Sequence, residues 1–170
     1  MNRFLASLSA LALAVLLSST ADAAKGDWDH AANIKDAAGR LATLHKREGS
    51  PGVLKFLDAC YRTHLLASEY TKGLEACMAQ DYMHTRVLAT IYAKMPEQER
   101  KKLGMPSPEL MADGMNHRFV TSFLQYKVTV TDADDFKKLV DTFGFPVFVK
   151  AVFPKASTES PDAAKPLGEK

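Results

Sequence analysis

Cysteine is scarce in this chain: two residues in 170, Cys60 and Cys77. They are too far apart for a Cys-x-x-Cys pair, and no βαβ pattern surrounds them, so a thioredoxin-like redox centre is excluded. Charge of either sign is not in excess, the formal net charge being +2. Nothing in that balance argues for nucleic acid or for an anionic membrane surface as a partner. Long apolar runs are missing after the first residues, and no later segment approaches the ~20 apolar residues that a spanning helix needs. The signatures G-x-S-x-G and H-E-x-x-H are also absent, which removes the commonest hydrolase and zinc-protease readings. Strand-like patterning is confined to FPVFVKAVFP, Phe145 to Pro154, and one such run cannot build a sheet. No internal repeat at a fixed period is found.

What is present begins with MNRFLASLSALALAVLLSSTADA. Arg3 precedes an apolar and small-residue run from Phe4 to Leu17, which ends in Ala21-Asp22-Ala23. This reads as a bacterial Sec-type signal peptide, residues 1–23, cleaved after Ala23. No cysteine follows to take a lipid, so there is no lipobox. The expected localisation is therefore periplasmic or secreted. Residues 155–170 carry Pro, Ser, Ala and Lys with no periodic apolar face and are expected to form a disordered tail. Residues 24–154 are left as a single domain with a single core.

Helical periodicity fills that domain. Ile34, Ala38, Leu41 and His45 share one face of a helix over 28–46, which Gly49 ends. Ser50-Pro51 supplies a cap and a first-turn proline for a second helix, with Val53, Leu54, Leu57, Tyr61 and Leu65 inward. Ser68 is the expected cap of a third and longest helix carrying Leu74, Cys77, Asp81, Leu88, Ile91 and Met95. A short charged helix follows Pro96 and closes at Gly104. Ser107-Pro108 opens a helix to about Tyr126, with Leu110, Met111, Met115, Phe119, Phe123 and Leu124 apolar. Val128 to Val130 reads as extended or loop, and Thr131 as the cap of a helix that Gly144 ends. FPVFVKAVFP is expected to lie across the bundle as a short helix or an extended arm. The fold class is all-α: a compact bundle of five or six helices built around a disulfide-linked antiparallel helical hairpin.

That disulfide follows from register. The midpoint between Cys60 and Cys77 falls between Ser68 and Glu69, where the turn is expected. Residues equidistant from a hairpin turn lie side by side, so both cysteines sit about 13 Å down neighbouring helices. In an exported chain with two cysteines, a bond is the default. A zinc site of Cys60, His64, Cys77 and His84 fails on the same register, because the two histidines are staggered by about 16 Å.

Other constellations are weaker. Asp81 and His84 are spaced i, i+3, with Tyr82 and Arg86 beside them, a candidate polar surface on which a carboxylate could orient an imidazole. No nucleophile accompanies them, so a hydrogen-bonded helix pair is the preferred account. Met111, Met115 and His117 raise copper(I), but His117 lies about 200° round the helix from Met115. Core filling suits the methionines better. Counting an EF-hand loop from Asp132 puts Lys137 where glycine belongs and Phe143 where glutamate belongs, so calcium is set aside. Phe145, Phe148 and Phe153 form a candidate apolar interaction segment if exposed, and core closure if covered.

The expected function is that of an exported, non-enzymatic helical protein that binds another protein in an inhibitor-like or adaptor-like way, without a cofactor. The alternative is a periplasmic metal or small-ligand binding protein using Met and His residues. A third reading is an enzyme centred on Asp81 and His84.

Overall fold

The computed structural model describes residues 26–126 and 130–154, with the side chains of 130 and 131 left aside. The expected signal peptide, the C-terminal tail and the Val128-Thr129 stretch lie outside the described residues. Every element within them is helical: α1 His30–His64, α2 Lys72–Ala93, α3 Glu97–Lys102, α4 Pro108–Gln125, α5 Val130–Leu139, a π-helical turn Val140–Gly144 and α6 Phe145–Val152.

The helix α1 is two arms that share a kink. Asp29 caps the first arm by accepting from the Ala32 amide at 2.9 Å. Gly49 then takes φ +64°, and Pro51 restarts the helix in its first turn, as Ser50-Pro51 predicts. The first arm buries Ile34, Ala37, Ala38 and Leu41, and the second buries Val53, Leu57 and Tyr61. Leu54 departs from expectation: it is 55% exposed, on the outer side of its arm. A second glycine read as a helix end, Gly104, also has a positive φ of 66°.

The central element is α2. Fifteen of its 22 residues are buried, including Glu75, Gln80, Asp81 and His84. A helix buried on nearly all sides must bring polar residues inside with it, and each of them then needs a partner. Around it pack both arms of α1, α4 and the π-helical turn. Phe119 and Phe123 of α4 meet Phe136 of α5 at ring centroids 5.7 and 5.8 Å apart. This aromatic cluster seals the α4–α5 side of the core.

Cys60 and Cys77 are bonded, with Cα atoms 5.9 Å apart. The hairpin register holds although the cap does not: Thr71, not Ser68, accepts from the Leu74 amide at 3.0 Å and starts α2. The connection 65–71 is still centred on Ser68, so the cysteines stay level.

Two expectations near the C-terminus are corrected. The helix α5 already includes Thr131, which therefore is not its cap. Gly144 does not end a helix, because the chain runs through the π-helical turn directly into α6. A Cβ at Gly144 would stand 2.8 Å from Ile34 Cγ2 and 3.1 Å from Met83 Sδ. The glycine is there for close packing against α1 and α2, not for a turn. Of the two forms expected for FPVFVKAVFP, the short helix is the one found, over Phe145–Val152. A lone apolar run with no strand to pair with meets its backbone hydrogen bonds internally, and a helix is the structure that does so.

Candidate functional site

Asp81 sits on α2 with 2% of its surface exposed. Its carboxylate accepts from the Tyr61 hydroxyl at 2.9 Å and the Thr85 hydroxyl at 3.1 Å. Arg118 of α4 adds a two-pronged contact, with Nε and Nη2 each donating at 2.7 Å. A buried carboxylate is tolerated only when paired and hydrogen-bonded, and here three elements supply those partners. The bond to Asp81 raises the Arg118 pKa further, despite some desolvation. Burial, and then the Asp81 charge, pushes the Tyr61 phenol well above its usual range. At neutral pH the Tyr61 phenol therefore stays neutral and the Arg118 guanidinium charged.

This cluster forms the polar end of a cleft of about 380 Å³ between the second arm of α1 and α4. Leu54, Leu57 and Leu65 wall it on the α1 side, and His117, Thr121 and Ser122 on the α4 side. The Arg118 side chain is 44% exposed, so the fixed guanidinium is reachable from solvent while Asp81 is not. Leu110, His117, Thr121 and Leu124 recur at i, i+7, i+11 and i+14, one outward ridge of α4 that borders the cleft. Leu110 and Leu124 on that ridge are 63% and 61% exposed.

The sequence-predicted polar surface of Asp81, Tyr82, His84 and Arg86 is not a surface. Asp81, Tyr82 and His84 are buried, and the Arg86 side chain is nearly so. Nor do the four act as one group, although Arg86 donates to the Tyr82 hydroxyl at 3.2 Å. Asp81 faces Tyr61 and Arg118. Tyr82 and Arg86 both bond Asp141 of the π-helical turn, while the Arg86 guanidinium lies 4.9 Å over the Phe145 ring. Burial, the leading cause, pushes the Tyr82 phenol up to about 12. His84 turns elsewhere, its ring centroid 6.2 Å from that of His45. On a helix enclosed on all sides, an i, i+3 offset is enough to send two side chains into different interfaces. No hydrogen bond joins Asp81 to His84, and His84 does not line the cleft.

The other expected site residues are also dispersed. Met115 points into the core, Met111 is half-buried and His117 is exposed, so these three do not converge on an ion. Phe148 is fully buried, and Phe145 and Phe153 pack half-buried against the core. Phe148 is thus unavailable to a partner, and the segment closes the bundle. His84 takes no part near the cysteines, but His64 does: its ring adjoins Cys60 and Cys77.

Two functional-looking groups escaped the sequence reading. Arg118 had no local signal, since its partner Asp81 is 37 residues away. Glu75, 1% exposed, accepts from Trp28 Nε1 at 3.0 Å and Asn33 Nδ2 at 2.9 Å and pairs with His30. It ties the start of α1 to the first turn of α2. Comparison with protein-family models, with curated proteins and with solved structures finds no match, so the geometry alone carries the functional reading.

Proposed function

We propose that this is an exported, non-enzymatic binding protein that recognises another protein through its α1–α4 face. The cleft receives an apolar side chain of the partner, and the exposed leucines beside it form the surrounding contact. One observation carries this reading: a cleft with Leu54, Leu57 and Leu65 on its α1 wall ends in the Asp81–Arg118 pair, and Leu110 and Leu124 stand exposed on the α4 ridge that carries His117 and Thr121. Large apolar side chains grouped around a pocket are what a partner's anchor residue requires. The disulfide, and the absence among the described residues of a helix long and apolar enough to cross a membrane, are compatible with export.

The test is residue-specific photocrosslinking in the source cell. A crosslinker at Leu124 should trap one protein, and one at Thr142, exposed on the π-helical turn, should not. With that partner purified, Leu54→Glu should weaken binding by roughly 30-fold, as expected for a hot-spot residue of about 2 kcal/mol. Equal trapping at both positions, or unchanged affinity in Leu54→Glu, would refute the proposal.

A second reading, an amphipathic small molecule in the same cleft, is favoured by its volume, which falls in the range of small-molecule sites. Native mass spectrometry of protein taken from the source should then show a bound mass that Leu57→Trp removes.

A further inference from the structure

Opening the Cys60–Cys77 bond would leave more than a pair of thiols. Both sulfurs and a ring nitrogen of His64 lie within 4.8 Å of one another. His64 stands one helical turn beyond Cys60 on α1, so the two side chains leave the same face, while Cys77 meets them from α2. The imidazole lies over the first turn of α2 in a space that depends on Gly73. A Cβ there would come within 2.1 Å of His64 Cε1 and 2.6 Å of Nε2. Among the described residues no hydrogen bond occupies either nitrogen of that ring. An open groove of about 340 Å³, lined by Arg40, Phe56, Cys60, Thr63, His64 and Gln80 among others, reaches the group from solvent.

We propose that Cys60, His64 and Cys77 form a zinc site that exists only while the disulfide is reduced. Two equivalents of a small thiol supply two electrons and two protons: the protein S–S bond breaks, two cysteine thiols form, and the donor leaves as its own disulfide. Zinc(II) then displaces both thiol protons. Its two positive charges are balanced by two thiolates, and a neutral imidazole is the third donor. Water entering through the groove completes a tetrahedron with one exchangeable position. The movement is small, since the sulfurs part from about 2 Å to about 3.8 Å, the spacing set by zinc–sulfur bonds of about 2.3 Å. In the oxidised protein the same sulfurs are committed to each other, so disulfide and metal exclude one another. Reductive conditions would load the site, and oxidation would expel the ion.

The test uses the full chain reduced by a phosphine and freed of reductant without air, with cobalt(II) as the probe. One equivalent should bind, with sulfur-to-metal charge transfer and the visible bands of a tetrahedral ion, and zinc should displace it. The oxidised chain should give neither signal. His64→Ala should weaken binding by at least about tenfold, the lower end of what loss of even an outer partner costs. Absence of tetrahedral bands in the folded reduced protein, or identical binding by His64→Ala, overturns the proposal. If reduction alone lowers helicity, zinc should restore it in the native sequence and not in His64→Ala. Failure to restore it, or equal restoration in both, is likewise decisive against the site.

Discussion

At the scale of single residues, α2 places ionisable groups where water cannot serve them. Asp81 answers this with three partners, and it is the group whose charge the cleft depends on. Asp81→Asn keeps the shape but gives Arg118 a neutral acceptor. Hydrogen bonds to a charged group contribute about 1.5–3 kcal/mol, so a loss of about 2 kcal/mol is expected in urea unfolding. His84 answers burial differently, by staying neutral. Burial first, and the His45 ring second, push its pKa down to about 4, with Asp81 pulling the other way. The unfolded chain titrates its histidine near 6.5. Above that pH both states are neutral at this position and stability does not change. Between pH 6.5 and about 4 the unfolded chain takes the proton first, and stability falls as pH falls. The total loss is about 3 kcal/mol, and it levels off once both states are protonated. The difference in unfolding free energy between the native sequence and His84→Leu should change by this total across that window.

At the scale of elements, two glycines make opposite predictions for the same change. Gly39 lies within the first arm of α1 and a Cβ there would meet nothing within 4 Å. Gly39→Ala should therefore stabilise by about 0.8 kcal/mol through helix propensity alone. Gly144 lies where the π-helical turn presses on α1 and α2, with Ile34 Cγ2 2.8 Å from the position of an added Cβ. Gly144→Ala should destabilise by about 1–3 kcal/mol, the cost of overpacking a filled core. Thermal melts of the two variants against the native sequence separate these outcomes by sign. The same comparison explains the legibility of the helices. Gly49 and Gly104 were readable as helix ends because their backbone demand is local, a positive φ next to Ser50-Pro51 or after a charged turn. Gly144 was misread because its reason lies on two other helices. Thr71 displaced Ser68 as the cap of α2 for a related cause: both residues can cap, and packing of the hairpin decided which one does.

At the scale of the whole molecule, the disulfide and the C-terminal closure hold the bundle. In the chain-entropy model a loop of this length contributes about 3 kcal/mol, so Cys60→Ala with Cys77→Ala should lower the melting temperature. A drop of about 8 °C or more fits a domain of this size, and added reductant should then have no further effect. The Phe145–Val152 helix closes the other side, with Phe148 beneath His45 at a ring distance of 6.0 Å. Leu54, Leu110 and Leu124, on α1 and α4, are among the large apolar residues that stay exposed.

The sequence by itself determined the all-helical class, most helix starts and ends, and the pairing of Cys60 with Cys77. Each of these rests on periodicity, on caps, or on distances counted along one hairpin, all of them short-range in the chain. Only the tertiary structure decided that Asp81 belongs to Tyr61 and Arg118 and not to His84. It alone decided also that Leu54 lines a cleft and that His64 joins the cysteines. The physical reason is the burial of α2 on nearly every side. With no polar face of its own, that helix takes each side chain's partner from whichever neighbour packs there, and that choice is written in the packing of distant segments.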